Sequence, residues 1–319
     1  MINNYPLVTI IIPAYNCEST IAKCLDSLAR LRYPHYEIII IDDGSTDKTP
    51  QILQRYKEIR ITRTENSGPS RARNIGIQKA LGEFIAFTDA DCIIAENWLE
   101  ELLKGFVDDT VAGVGGDQQS PADETPFGRN VQDFMKTVGF VADYLKTNKE
   151  IIPTKHNPTC NVMYRKSVLL EAGFFDENLW PGEDVEMDLK IGRLGYRLYY
   201  NPDAVVRHYR PKSAEAFSRM MKRYGWAQGW LVRKYGPFRL VHFMPLFLVA
   251  GLTFLLNILR IDPFMAAGFL TAALLFGFIC FTFKSSSVKR GVTFLYLLLI
   301  LVFFWNLGFL QGVFEKPKR

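Results

Sequence analysis

Phe84-Ile85-Ala86-Phe87-Thr88-Asp89-Ala90-Asp91 is the stretch on which the fold and the chemistry turn. An unbroken apolar run of this length describes a strand buried on both faces. The two carboxylates on alternate positions just past it form a hard oxygen site suited to Mg²⁺ or Mn²⁺. Acidic turns are common, so the weight of this one comes from its neighbours. Leu7-Val8-Thr9-Ile10-Ile11-Ile12 gives the same strand signal and runs into Pro13-Ala14-Tyr15-Asn16. Glu37-Ile38-Ile39-Ile40-Ile41 repeats it before Asp42-Asp43-Gly44-Ser45-Thr46. Residues 59–62 and 111–114 read as further strands. Helical patterns intervene behind Ile21, Leu25 and Leu28 and over 69–80 and 96–105. Strand and helix in alternation give an α/β sheet, and in such sheets ligands bind at the carboxyl ends of the strands. All of these acidic motifs lie there.

The chain of 319 residues allows one large domain with an appendage. Its hydrophobic content of 48% and its 24 Phe exceed what a soluble enzyme uses, and the excess follows Leu240. The net charge of +5 is modest, and the basic residues cluster beside the apolar segments. That placement predicts contact with anionic lipid headgroups and no nucleic-acid partner. Five cysteines, an odd number without paired metal spacing, argue against a disulfide framework or a zinc site and fit a reducing, cytoplasmic side. Residues 7–12 are too short for the apolar core of a signal peptide, and Pro13 ends them.

Between 115 and 198 the alternation loosens: 130–145 and 184–194 read as helices and 161–164 as extended. A last strand is expected at 205–208 and a helix at 213–234. That helix sets Phe217, Met221, Tyr224 and Leu231 at helical spacing, with Trp226 and Trp230 alongside and Arg219, Lys222, Arg223, Arg233 and Lys234 for charge. Aromatics mixed with cations before an apolar segment describe an interfacial helix. An amphipathic helix packed on the domain is the other reading, and both hold if they use different faces. Residues 241–259, 264–283 and 292–314 each approach the ~20 residues needed to cross a bilayer. The basic flank at 233–239 and the loop Lys284-Ser285-Ser286-Ser287-Val288-Lys289-Arg290 belong on the cytoplasmic side by the positive-inside rule. Three complete spans then leave Lys316, Lys318 and Arg319 outside, against that rule. The alternative is a third segment that does not fully cross.

The motifs at 13–16, 42–45 and 89–91, followed by Gly182-Glu183-Asp184, resemble glycosyltransferase family 2 in kind and in order. The resemblance covers about the first two thirds of the chain. It implies a GT-A fold, a Rossmann-like mixed sheet, and a nucleotide diphosphate-sugar donor. UDP is favoured, because an imide N–H such as uracil's suits Asp43, with GDP or dTDP as alternatives. Pro13, Tyr15, Asn16, Asp43, Arg73 and Asp89 are then expected at the donor nucleotide. Arg73 opens a helix behind Gly68-Pro69, a setting suited to phosphate. Asp91 is expected to ligate the metal with Asp89 and His208, and Asp184 to act as general base. Asn161, Glu183 and Trp180 are expected near the donor sugar or the acceptor.

Departures from familiar subfamilies narrow the reading. The segment Gln228-Gly229-Trp230-Leu231-Val232-Arg233 lacks the Gln-x-x-Arg-Trp order of processive polysaccharide synthases. Cys92-Ile93-Ile94-Ala95-Glu96 replaces the Leu-Gln continuation of polyprenyl-phosphate glycosyltransferases. A cytoplasmic catalytic domain is therefore expected over 1–212, an interfacial helix over 213–240 and a membrane region over 241–319. The expected activity is inverting, metal-dependent transfer to a hydroxyl of a lipid-linked saccharide or glycolipid at the cell membrane. A polyprenyl-phosphate glycosyltransferase is the alternative. Outside catalysis, a nucleotide-sugar-binding membrane subunit is the competitor. Nucleotidyl transfer fits less well, because Pro13-Ala14-Tyr15-Asn16 is not a glycine-rich phosphate loop.

Overall fold

The computed structural model of the protein describes residues 5–139 and 150–315. The chain divides into two compact units, Met1–Glu124 with Gly139–Tyr209, and Thr125–Val138 with Arg210–Arg319. The first unit is built on a sheet of nine strands: β1 (Val8–Ala14), β2 (Tyr36–Asp42), β3 (Arg60–Arg63), β4 (Phe84–Thr88), β5 (Cys92–Ile94), β6 (Val111–Gln119), β7 (Ile152–Thr154), β8 (Asn161–Arg165) and β9 (Arg197–His208). Their order is β3-β2-β1-β4-β8-β6-β9-β5, with β7 on β9. The helices up to the end of this unit are α1 (Ile21–Leu28), α2 (Thr49–Leu53), α3 (Pro69–Lys79), α4 (Trp98–Lys104), α5 (Pro126–Val138), α6 (Lys166–Glu171) and α7 (Glu183–Arg193). Of these, α5 belongs to the second unit.

The apolar runs explain the centre of the sheet. β1 pairs in parallel with both β2 and β4, so each is covered on both faces and needs apolar side chains on both. Successive residues of β1 serve opposite layers. Ile10 and Ile12 pack with Ile21, Leu25, Leu28 and Trp98, whereas Ile11 joins Ile39, Ile41, Ala72, Ile77 and Met187. β8 then runs antiparallel between β4 and β6, which makes the sheet mixed. The strand β5, directly after Asp91, is not signalled by its three residues. It exists because it pairs antiparallel with the end of β9, setting Cys92 opposite His208. β9 itself begins at Arg197, eight residues before the expected strand, and Asn201 (buried) and Asp203 interrupt its apolar pattern.

The second unit contains α5, α8 (Ala214–Tyr235), α9 (Met244–Ile261), α10 (Pro263–Ser285) and α11 (Val288–Phe314). The helix expected at 130–145 starts earlier, at Pro126, and the part of that expectation past Gly139 lies outside the described residues. The helices ending at Ile261, Ser285 and Phe314 are each long and apolar enough to cross a membrane. α8 and α11 run parallel in contact, with glycines on both sides. A Cβ on Gly225 would lie 1.9 Å from the Trp305 carbonyl oxygen, and one on Gly229 2.1 Å from that of Phe309. Reciprocally, a Cβ on Gly308 or Gly312 would lie 1.9 Å from the carbonyl oxygen of Lys222 or Trp226. Two Gly-x-x-x-Gly faces thus bring the backbones together, the small-residue packing used by membrane helices. Arg233 closes the pair by donating to the Val313 and Phe314 carbonyls at the end of α11.

Because the obstructing atoms are backbone, neither helix can yield locally. Gly225→Val and Gly308→Val are expected to lower the stability of the detergent-solubilised protein by at least about 1–3 kcal/mol. Gly268→Ala in α10, where nothing lies within 4 Å, should leave it within about 1 kcal/mol. Thermal unfolding midpoints measure all three.

Candidate active site

The acidic motifs meet at the carboxyl edge of the sheet. Asp91 and His208 come together because β5 pairs with β9, and His208 Nε2 lies 3.3 Å from Asp91 Oδ1. With Cys92 they form a group whose ligand atoms lie within 4.8 Å of one another. Cys92 is fully buried, and burial pushes its thiol well above the ordinary value, so it suits a hard cation poorly. A partly exposed carboxylate and an imidazole nitrogen remain, a donor set that fits Mn²⁺ or Mg²⁺. Asp91 and His208 would hold such an ion.

Asp89 faces a different partner. Arg73 is only 2% exposed and donates from Nη2 to Asp89 Oδ1 at 2.8 Å and from Nη1 to Glu183 Oε1 at 2.7 Å. Arg73, expected at the donor phosphates, and Glu183, expected near the acceptor, thus meet each other in this structure. Both are buried, and the guanidinium ties the Asp-x-Asp loop to the start of α7. Burial opposes the arginine's charge, yet Asp89 and Glu183 outweigh it and hold Arg73 above its usual value. Burial, with Asp184 alongside, pushes the Glu183 carboxyl up, and Arg73 opposes that shift.

The donor-side loops are stitched by the residues expected to hold nucleotide. Asn16, at φ 46°, accepts from the Thr46 and Asp47 N–H groups through Oδ1, joining the loops after β1 and β2. Asp43 is 4% exposed and accepts from Ser67 N, Gly68 N and Thr64 Oγ1. It fastens the segment that leads into α3, and a nucleobase would compete with those donors. Pro13 closes this rim within β1, and Tyr15, half exposed, offers a ring face beside it.

Asp184 stands in the first turn of α7 behind Gly182, with its side chain 20% exposed. It accepts from the Val185 N–H at 2.8 Å, and its other oxygen lies 3.9 Å from His156 Nε2. Trp180, 48% exposed, precedes it across Pro181-Gly182. Asn161 is not part of this site: it is fully buried, accepts from Trp98 Nε1 and donates to the Asp117 and Ala204 carbonyls. Sequence reasoning missed His156, Asp188 and Tyr164, which meet behind Asp184. His156 Nδ1 lies 2.8 Å from Asp188 Oδ2, and Tyr164 donates to Asp188 Oδ1 at 2.6 Å. The available signal was Asp188 itself, on the buried side of α7 one helical turn beyond Asp184.

A family model described as glycosyl transferase family 2 matches residues 9–173, more than half of the chain. The chain belongs to that family. It is 32% identical over 238 residues to the glycosyltransferase AglE of Haloferax volcanii, covering 70% of this chain and 72% of the relative. Over 263 residues it is 27% identical to a Methanococcus voltae enzyme, a dolichyl N-acetyl-α-D-glucosaminyl phosphate 3-β-D-2,3-diacetamido-2,3-dideoxy-β-D-glucuronosyltransferase, covering 75% of this chain and 77% of that one. Among solved structures, the mannosyltransferase PcManGT of Pyrobaculum calidifontis, in complex with GDP-Man and Mn²⁺, superposes with a TM-score of 0.69. That match covers 98% of this chain and 88% of the other at 20% identity, so the likeness is one of fold, the GT-A type.

Removing the metal-facing pair should separate binding from folding, since both residues lie at the sheet's rim. Asp91→Ala and His208→Ala are expected to lose transfer and the Mn²⁺-dependent part of nucleotide-sugar affinity while keeping far-UV circular dichroism. Calorimetry with and without Mn²⁺ reads the affinity, and full activity in chelator excludes the metal assignment.

Proposed function

We propose that this family 2 enzyme moves a sugar from a nucleotide diphosphate-sugar to a hydroxyl of a lipid-linked saccharide or glycolipid, with inversion, and that Asp184 is its general base. One observation carries the reading: Arg73 pairs with both Asp89 and Glu183, which binds the donor-side carboxylate to the residue next to Asp184. The donor edge and the base are thus parts of one rigid arrangement. The name of the Methanococcus voltae relative, which describes transfer to a dolichyl phosphate-linked sugar, supports an acceptor of this class.

The chemistry follows from proton placement. A hydroxyl set against Asp184 loses its proton to the carboxylate as its oxygen attacks the anomeric carbon. The bond from that carbon to the diphosphate oxygen breaks in the same displacement, which inverts the configuration. Asp91 and His208 would hold a divalent cation, whose chemistry when bound would be to neutralise negative charge on the departing diphosphate. A phosphate acceptor is already ionised near neutral pH and gains little from a base, which favours the hydroxyl over a bare polyprenyl phosphate.

Membrane placement belongs to the same proposal. α9 and α10 expose apolar side chains nearly all round, and they form the hairpin that crosses the bilayer. α11 is locked along α8, which carries Arg219, Lys222 and Arg223, and charges of that density do not enter hydrocarbon. α11 therefore lies with α8 at the cytoplasmic surface, turning Val292, Tyr296, Leu299, Phe303 and Leu310 to lipid. The amphipathic reading of α8 and its packed reading then hold together. The basic residues that follow α11 in the sequence then agree with the positive-inside rule.

Two measurements test these readings. Asp184→Asn is expected to keep nucleotide-sugar affinity while kcat on a hydroxyl acceptor falls by about 10²–10⁴-fold. Wild-type turnover in that variant, or a bare polyprenyl phosphate as the efficient acceptor, refutes the hydroxyl reading. In inverted membrane vesicles, protease should remove a tag placed after Arg319 and cleave the catalytic unit alike. A tag protected while the catalytic unit is cut returns the topology to three complete spans.

A further inference from the structure

Asp184, in the first turn of α7, is backed by a group of side chains that the proposed transfer does not yet use. Asp188 has a side chain with no exposure, and its carboxyl accepts from Tyr164 Oη at 2.6 Å and the Asn157 N–H at 2.7 Å, with His156 Nδ1 at 2.8 Å. Burial pushes this carboxyl up and its three partners hold it down; the oxygen that already accepts from the peptide N–H serves as acceptor for a protonated Nδ1 as well. In neutral His156 the lone pair is then on Nε2, the atom 3.9 Å from Asp184 Oδ2. Two acceptors facing each other do not close to hydrogen-bonding distance, and 3.9 Å is the separation to be expected before a proton arrives.

The geometry points to a proton relay, Asp184–His156–Asp188, in which His156 is the positioning residue that receives the acceptor's proton through Asp184. This inference rests on Asp184 being the base. The proton leaves the acceptor hydroxyl for Asp184 Oδ2 as the acceptor oxygen forms its bond to the anomeric carbon. It then passes to His156 Nε2, which restores the Asp184 carboxylate and leaves an imidazolium between two carboxylates, Asp184 and Asp188. Return of the proton to solvent after product release resets the site. Among the described residues, Asp184 and Asp188 from α7 face the imidazole, and Tyr164 from β8 meets Asp188 behind it. The relay gives the hydroxyl's proton a second resting place, one step back from the reacting atoms.

His156→Asn keeps an N–H that can reach Asp188 and removes the second nitrogen. Its kcat is expected to fall by about 10²-fold with the donor KM unchanged. In an Asp184→Asn background the same change should cost no more than about twofold, since the two act as one unit. If Asp184→Asn is inactive but His156→Asn has the turnover of wild type, or if the two losses multiply, the relay is wrong and the base assignment stands. If Asp184→Asn retains full turnover, the base assignment fails and the relay with it. A measurement on the native side chain guards against a variant that does not fold. ¹⁵N spectra of the detergent-solubilised protein, assigned by replacing His35, His208 and His242 one at a time, should show His156 as the Nδ1–H tautomer, and the Nε2–H tautomer overturns the relay.

Discussion

Much of this site depends on one guanidinium. Arg73 is almost wholly buried between Asp89 and Glu183, and a buried arginine with one partner removed leaves an uncompensated charge, a loss of about 3–5 kcal/mol. Only a planar fork with several donors serves two carboxylates on different elements at once, a geometry that a lysine ammonium does not reproduce. What fixes Arg73 lies further back. Asp43 at the end of β2 holds the Ser67 and Gly68 amides, Gly68 and Pro69 start α3, and α3 carries Arg73 inward one turn later. The line from β2 through α3 to α7 thus consists of hydrogen bonds and ion pairs, each short and mostly buried. It sets the Asp89–Asp91 loop and the start of α7, where Asp184 stands, in one frame.

The sheet was legible where its residues are apolar on both faces. β1, β2 and β4 announce themselves because a parallel strand under two helical layers has no polar side, and the acidic loops follow at their carboxyl ends as that topology requires. β5 and the start of β9 were not legible. A three-residue strand carries no period, and β9 has a buried asparagine and an aspartate in its course, so neither has a pattern apart from its partner. His208 was placed near the metal by resemblance alone. What sets it beside Asp91 is a pairing between Cys92 and His208, more than a hundred residues apart in the chain. The partners of Asn161 were hidden for a related reason: its side-chain hydrogen bonds go to Trp98, Asp117 and Ala204, on three other stretches of the chain.

In the membrane unit, composition and packing give different information. Hydropathy treats the three apolar helices alike, whereas α11 shows only one apolar face outward and α9 and α10 show nearly all of theirs. The distinction comes from glycines that no hydropathy scale weighs. Gly225 and Gly229 on one helix and Gly308 and Gly312 on the other let two backbones approach closely enough to exclude any side chain. An amphipathic helix rich in arginine and lysine can therefore share its length with an apolar one, and the joint element has a charged side and an apolar side.

The rim of the sheet gathers several carboxylates, and their partners divide the work among them. Asp89 and Glu183 share Arg73, Asp91 faces His208, and Asp188 is closed in by a phenol, an amide and an imidazole. Each of these is engaged by a cation or by several hydrogen-bond donors. Asp184 differs. It is partly exposed, its near contact is the N–H of the next residue, and a nitrogen base stands just beyond hydrogen-bonding reach. Environments that close in the other carboxyls thereby leave this one open to a further partner, which is how a cluster of chemically identical groups acquires separate tasks.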